Sequence, residues 1–109
     1  MQAAVWYAAR DLRVEQVPVP TINDPHSVKV KVAACGICGS DLHESAAGPI
    51  FIPVDKPHPI SGEQAPIIMG HEFAGEVVEV GEKVTRVKVG DRVAIEPILS
   101  PNKDGAYQM

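Results

Sequence analysis

Cysteine is scarce in this sequence, because its 109 residues include only Cys35 and Cys38. Two cysteines this close together cannot form the disulfide framework of a small secreted protein, and in a reducing compartment they indicate metal binding or redox chemistry. Apolar runs such as 50–52 and 67–69 are far shorter than the ~20 residues that a membrane span requires. The first residues lack the basic start and long apolar stretch of a signal peptide, which predicts a cytoplasmic protein.

Clusters of basic residues are also missing. Lysine and arginine are scattered, and the formal net charge is −4. A protein that binds phosphate backbones or an anionic membrane surface usually carries a basic patch. The sequence therefore predicts neither nucleic acid nor membrane as a partner.

Proline and glycine are abundant, with ten and nine copies respectively. Both residue types interrupt regular structure, so many short elements joined by turns are expected rather than a few long helices. A chain of this length fits one domain, which buries roughly two thirds of the surface of its unfolded chain. The composition favours a mainly β domain with a modest core.

Short apolar segments between turn residues predict six strands, over 3–7, 12–17, 27–34, 73–80, 84–89 and 92–95. The third is the most regular, because Val28, Val30, Val32 and Ala34 occupy alternate positions. Alternation of this kind places one row of side chains on one face of a sheet, and this row is expected to point inward.

A short helix is predicted over 40–46, with the Ser40 hydroxyl as its N-cap and Asp41 favourable in its first turn. The segment 48–66 is rich in proline, glycine and polar residues. A loop of this length is unusual in a compact domain and suggests a lid or a functional insertion.

The first group of chemically active residues lies in the corner 35–43, with the sequence Cys-Gly-Ile-Cys-Gly-Ser-Asp-Leu-His. It concentrates thiols, a hydroxyl, a carboxylate and an imidazole within nine positions. By itself this corner is equally consistent with a glycine-rich turn that holds two buried thiols. A thioredoxin-like redox pair is disfavoured, because such pairs occur in alternating α/β chains.

The second group is 70–75, with the sequence Gly-His-Glu-Phe-Ala-Gly. A lone histidine is more often structural than a ligand, so its meaning depends on the first group. Thiolate and imidazole are ligand types that zinc prefers, and three protein ligands with one open position define a catalytic zinc site. Cys38 and His71 would supply two of these three ligands.

These two groups together resemble the zinc-dependent medium-chain alcohol dehydrogenase family. Gly70-His71-Glu72 with Gly75, Gly81 and Val84 matches the family signature at every defined position, and 35–41 is similar to the companion motif that precedes it. The segment 90–93 also matches a strand start found shortly afterwards. The resemblance implies a partly open, chaperonin-10-like (GroES-like) β-barrel with short helices over 1–109. A Rossmann domain that holds the nicotinamide is expected after it and is not present in this chain.

The resemblance also implies residue roles. Cys38 and His71 would bind a catalytic Zn²⁺, and Asp41 would accept a hydrogen bond from the His71 ring. Glu72 would lie beside the metal, either just outside its ligands or as an occasional ligand. Ser40 would bind the substrate hydroxyl and His43 would relay its proton, so both are expected catalytic residues. Cys35 would be structural. A third ligand, cysteine or glutamate in this family, would lie after residue 109.

The sequence of residues 48–63 is similar to that of the butanediol dehydrogenase branch of the family, which interconverts acetoin and 2,3-butanediol. The implied cofactors are Zn²⁺ and either NAD or NADP, and the implied partner is a small secondary alcohol, diol or ketone. The full-length enzyme is expected to be a homo-oligomer. No Gly-x-Gly-x-x-Gly occurs in the 109 residues, so this chain alone is expected to be inactive.

Two alternatives remain at this point. A metal-free quinone or enone reductase would share the barrel but typically lacks the thiolate and the imidazole. A binding module related to the small co-chaperonin would also share the barrel, and it would need a mobile hydrophobic loop and no metal. Zinc binding separates both alternatives from the dehydrogenase interpretation.

Overall fold

A computed structural model describes residues 1–98, which contain one short helix and six strands. The elements in chain order are β1 Gln2–Ala8, β2 Asp11–Gln16, β3 Val28–Gly36, α1 Gly39–Ala47, β4 Ile67–Ile68, β5 Glu72–Val80 and β6 Arg92–Ala94. Two antiparallel three-stranded sheets result, and the prediction of a mainly β domain is confirmed. Within the described residues no helix is long and apolar enough to cross a membrane.

The first sheet has the order β2-β1-β4. Its hairpin pairs Trp6 with Leu12, and Arg10 adopts a positive φ of 62° in the turn. The central position of β1 explains its burial, because Val5 is 5% exposed and Trp6 is fully buried. The N-terminal ammonium donates a hydrogen bond to the Val17 carbonyl at 2.7 Å and closes the open end of the hairpin.

The second sheet has the order β3-β5-β6 and determines where the chemically active residues lie. The ladder between β3 and β5 runs from the pair Val28 and Val80 to the pair Gly36 and Glu72. Gly75 lies in this ladder where a β-carbon would meet the Lys31 carbonyl. Glycine at this position therefore permits the close approach of the two strands.

The predicted inward face of β3 is wrong for two of its valines. Val28 is 38% exposed and Val32 is 54% exposed. Irregularities in the pairing with β5, between Lys29 and Val30 and between Val32 and Ala34, interrupt the alternation. Within residues 1–98, Val30 is half-buried and Ala34 is exposed. Periodicity identifies which residues share a face, whereas burial depends on a partner layer.

The predicted strand 84–89 is also wrong, because no strand forms there and the segment is irregular, with a bend at Arg86 and a turn at Val89. The Val84 N–H donates to the Gly81 carbonyl, and the Asp91 carboxylate accepts hydrogen bonds from the backbone N–H and the ammonium of Lys88. These short-range bonds satisfy backbone and side-chain groups locally and replace a strand ladder.

The loop 48–66 is confirmed as mainly irregular, yet its first part is firmly attached to helix α1. Glu44 on α1 is only 3% exposed. Its Oε1 accepts backbone hydrogen bonds from Ile50 at 2.8 Å and Ile52 at 3.1 Å, and its Oε2 accepts one from Phe51 at 2.9 Å. Ile52 is 8% exposed and adds a loop residue to the core.

Hydrogen bonding and burial act on this carboxylate in opposite directions. Burial alone disfavours the charged form, but the three N–H groups together outweigh it and hold the pKa of Glu44 below its ordinary value. Glu44 is therefore an ionised buried residue that stabilises the native loop.

We expect Gly75→Ala to destabilise the protein by about 1–3 kcal/mol, because the added methyl forces β3 and β5 apart. Gly39→Ala is the matched control, since a β-carbon at Gly39 meets no atom within 4 Å among the described residues. Alanine at this helical position is expected to be neutral or slightly stabilising. Urea denaturation of the purified variants measures both effects, and equal stability of the two variants would contradict the close-approach explanation.

We expect Glu44→Gln to lower the free energy of unfolding by about 1–3 kcal/mol at neutral pH, because the amide cannot accept all three bonds. A folded-state pKa below the unfolded value of about 4.3 stabilises the protein above that pH, and this stabilisation is lost as pH falls through the folded-state pKa. The difference between wild type and variant should therefore shrink as pH is lowered from about 5 to about 3.

Denaturation curves across this pH range measure the difference. Asp11, Asp24 and Asp91, whose pKa values are also lowered by hydrogen bonds to their neighbours, are common to both proteins. Subtracting the two curves therefore isolates Glu44. A difference that stays constant with pH would show that its charge does not contribute.

Candidate metal centre

The ladder between β3 and β5 brings the two predicted motifs together. Gly36, the last residue of β3, pairs with Glu72, the first residue of β5. Cys38 lies two positions after the end of β3, and His71 lies one position before the start of β5. The potential ligand atoms of Cys38, His71 and Glu72 all lie within 4.8 Å of one another.

Glycine is needed on both sides of this cluster. A β-carbon at Gly36 would lie 2.9 Å from Oε2 of Glu72, which is too close for a normal contact. Gly70 has a φ of +105°, and a β-carbon there would lie 2.9 Å from Sγ of Cys35. Both glycines therefore allow the two strand ends to approach, and Gly70 also provides a backbone conformation that other residues rarely adopt.

Asp41 contacts both motifs. Its Oδ2 accepts a hydrogen bond from the Cys38 backbone N–H at 2.9 Å, which is the carboxylate half of a capping box at the start of α1. Its Oδ1 lies 3.4 Å from Nδ1 of His71. The side chain of Asp41 is 15% exposed and that of His71 is 40% exposed. With Nδ1 facing a carboxylate, Nε2 is the ring nitrogen left available for a metal ion.

Cys38, rather than Ser40, is the N-cap of α1, and it has extended backbone angles. The prediction of Ser40 as N-cap is wrong, because the helix begins one residue earlier at Gly39. This start leaves the Ser40 side chain free of a capping role.

The donor set fits zinc. One thiolate, one imidazole and one carboxylate are ligand types that Zn²⁺ accepts, and ligand atoms around a tetrahedral zinc lie roughly 3.5 Å apart. The observed upper limit of 4.8 Å describes a slightly more open cluster of the same kind. Glu72 is exposed at its edge, whereas Cys38 and His71 are half-buried.

The remaining predicted residues lie nearby on α1 or apart from the cluster. Ser40 is half-buried and His43 is exposed, and within residues 1–98 neither side chain forms a hydrogen bond to the cluster. Cys35 is an exposed free cysteine outside the cluster.

Glu44 is the residue that the sequence interpretation missed. It follows His43 directly, and nothing in its local pattern distinguishes it from an exposed helix glutamate. Its burial becomes visible only when the loop that bonds to it is placed.

A family model described as the alcohol dehydrogenase GroES-like domain matches residues 24–109. The (R,R)-butanediol dehydrogenase of Bacillus subtilis is 58% identical over 110 residues, a match that covers 100% of this chain and 32% of that relative. The chain thus spans about a third of the length of this relative.

Two solved structures are also similar. The 2R,3R-butanediol dehydrogenase from Bacillus subtilis has a TM-score of 0.83 and 61% identity, over 87% of this chain and 27% of that one. The zinc dependent alcohol dehydrogenase 2 from Streptococcus pneumonia has a TM-score of 0.71 and 31% identity, over 94% of this chain and 26% of that one.

These likenesses confirm the predicted GroES-like fold class. The family match extends over most of the sequence and includes both motifs that form the cluster. The chain belongs to the alcohol dehydrogenase GroES-like domain family.

Proposed function

We propose that this chain is the zinc- and substrate-binding domain of an NAD(P)-dependent secondary-alcohol dehydrogenase that interconverts 2,3-butanediol and acetoin. The observation that carries the proposal is the convergence of Cys38, His71 and Glu72 at the end of the ladder between β3 and β5. Fold alone would not justify an enzymatic function, because function depends on the site.

Three residues would hold the zinc ion: Cys38 through its thiolate, His71 through Nε2, and Glu72 through a carboxylate oxygen. When bound, Zn²⁺ supplies a Lewis acid that polarises an oxygen and lowers the pKa of its proton. Asp41 would keep the His71 ring in the required tautomer and orientation, because its Oδ1 faces Nδ1. The same carboxylate fixes the backbone of Cys38.

Ser40 and His43 would handle the substrate proton. Both residues lie on α1, directly after the N-cap Cys38, within its first two turns. The half-buried Ser40 hydroxyl is suited to bind the substrate hydroxyl, and the exposed His43 imidazole is suited to pass the proton to solvent. A nicotinamide cofactor, NAD or NADP, would accept the hydride.

The substrate class is supported by the relatives. The Bacillus subtilis relative and the similar Bacillus subtilis structure are both butanediol dehydrogenases, at 58% and 61% identity. We therefore favour a small secondary alcohol, diol or ketone as substrate. A homo-oligomeric full-length enzyme, a cytoplasmic location, and the absence of nucleic acid and membrane partners stay predictions.

Zinc binding by variants of the purified protein tests the metal centre. Cys38→Ser and His71→Ala are expected to lose tight zinc binding, because each removes a ligand. Asp41→Asn should weaken zinc binding by about 10–100-fold, which is typical for loss of a residue that orients a ligand. Chelator competition measures the dissociation constants.

Cys35→Ser is the matched control, since it makes the same change three positions away at an exposed thiol outside the cluster. Its zinc affinity should equal that of the wild type. Equal zinc binding by the Cys35 and Cys38 variants would contradict the proposed site and would favour a metal-free relative or a binding module.

Catalysis is expected to need a nicotinamide site that these residues do not encode. The sequence contains no glycine-rich dinucleotide fingerprint, so the zinc-loaded 109-residue chain should not consume NADH in the presence of acetoin. Loss of NADH absorbance measures the reaction. Turnover by this chain alone would contradict the assignment of cofactor binding to another domain.

A further inference from the structure

The outer edge of β2 has no strand partner among residues 1–98. This strand is the end of the first sheet, and it pairs with β1 alone. Proteins commonly protect an edge strand with proline, lysine, a bulge or a covering segment. β2 contains neither proline nor lysine, and the extra residue of its hairpin lies on β1, between Trp6 and Ala8. Its edge is therefore a regular template on which a further strand can pair.

Hydrogen bonds at the open end of the hairpin show which backbone groups of β2 point outward. Met1 and Val17 exchange two bonds, with N···O distances of 2.7 and 2.8 Å. Residues that exchange bonds alternate along an antiparallel pair with residues whose N–H and C=O point away. The same alternation directs the Ala4 carbonyl away from β2, and on that side it accepts the Met69 N–H. The outward groups of β2 belong to Leu12, Val14 and Gln16.

The odd-numbered residues of β2 carry alternating charges in fixed positions. The Arg13 guanidinium donates two hydrogen bonds to the Asp11 carboxylate at 2.8 Å, and its Cζ lies 4.1 Å from the centre of the Tyr7 ring. The Tyr7 hydroxyl donates to the Glu15 carboxylate at 2.9 Å. Charges on an edge strand discourage pairing with a strand that does not complement them. A partner strand must therefore place an acidic group opposite Arg13 and a basic group opposite Glu15.

A second copy of β2 meets this requirement in an antiparallel register centred on Val14. Val14 then lies opposite the partner's Val14, and Leu12 lies opposite the partner's Gln16. Each of these opposed pairs can exchange two hydrogen bonds, because all their backbone groups point outward. In the same register Arg13 lies opposite the partner's Glu15, and Glu15 lies opposite the partner's Arg13.

Other registers conflict with the charges or with the backbone. A shift of two residues in one direction places Arg13 opposite the partner's Arg13 and Asp11 opposite the partner's Glu15. The opposite shift places Glu15 opposite the partner's Glu15, and Leu12 opposite the partner's Pro18, which has no N–H. A shift of one residue places outward groups opposite residues that already bond to β1. The register centred on Val14 is therefore the one that satisfies both constraints.

The side chains favour the same register on both faces of the new pair. Opposed residues that exchange no backbone bonds have Cα atoms only about 4.5 Å apart, and Arg13 and the partner's Glu15 are such a pair. Opposite charges at this position stabilise a strand pair, whereas like charges destabilise it. On the other face Val14 is 74% exposed and Leu12 is 47% exposed. Pairing removes part of this apolar surface from water.

We propose that β2 is a dimerisation edge, at which two copies of this chain join their first sheets into one continuous antiparallel sheet in the register centred on Val14. The interface is isologous, since the same strand serves both copies. It does not depend on the proposed dehydrogenase function, because the metal cluster lies at the end of the ladder between β3 and β5 in the second sheet.

Sedimentation equilibrium of the purified 109-residue chain tests the dimer. A short strand pair buries less than about 1,200 Å², which is typical of weak interfaces, so the range from about 10 µM to about 1 mM should be examined. Val14→Pro should prevent dimerisation, because it removes an outward N–H and keeps the bonds between β1 and β2. A wild-type chain that is monomeric at about 1 mM, or an unchanged dimer in the proline variant, overturns the proposal.

Charge reversal tests the register. Arg13→Glu and Glu15→Arg should each weaken dimerisation by about tenfold or more, since each places like charges opposite one another. An equimolar mixture of the two variants should restore the dimer, because each chain then supplies the charges that the other requires. Arg86→Glu is the matched control at an exposed residue outside the hairpin and should dimerise like the wild type. Failure of the mixture to recover, or equal weakening by the control, overturns the proposal.

Amide hydrogen exchange of the wild type identifies the paired edge without any substitution. On dimerisation the amides of Leu12, Val14 and Gln16 should exchange about tenfold more slowly. The amides of Arg13 and Glu15 should be protected at all concentrations, because they already bond to β1. Concentration-dependent protection at another strand, with none at the outward amides of β2, would place the interface elsewhere and overturn the proposal.

Discussion

The antiparallel register of β3 against β5 is the constraint on which the candidate site depends. Because Gly36 pairs with Glu72, a residue just after one strand and a residue at the start of the other are brought to the same corner, although 33 positions separate Cys38 from His71. The backbone ladder does this without help from the intervening loop. Asp41 then joins the two sides through one hydrogen bond and one close contact to an imidazole.

Much of this site could be predicted from the sequence, because its information is local. Cys38 and His71 lie in short motifs with glycines at fixed offsets. At Gly36 and Gly70 the structure shows why glycine is needed, because a β-carbon there would be too close to a neighbouring side chain. The strands that carry the motifs were also predictable, since valines recur along both of them between turn residues. The motifs alone do not show that Cys38 and His71 lie close together. That conclusion requires the register of the ladder between β3 and β5.

The features that could not be predicted depend on partners distant in sequence. Glu44 has the pattern of an exposed helix residue, and only the folded loop shows that three amides surround it. The segment 84–89 has strand-like composition, but it forms no strand, and the Lys88 N–H within it donates to the Asp91 carboxylate instead. The valine row of β3 has a regular period, yet the period contains no information on which layer, if any, covers it. Local sequence indicates the conformation of a segment, whereas its burial depends on the parts of the chain that pack against it.

The separation between the ladder and the loop has an evolutionary consequence. Residues 54–64 connect the segment 49–53 to β4, and their hydrogen bonds are made to other residues of the same loop. Insertions or deletions within this stretch can therefore change the shape of the loop surface while Cys38 and His71 keep their positions. In a protein built in this way, loop length and the geometry of the cluster can vary independently.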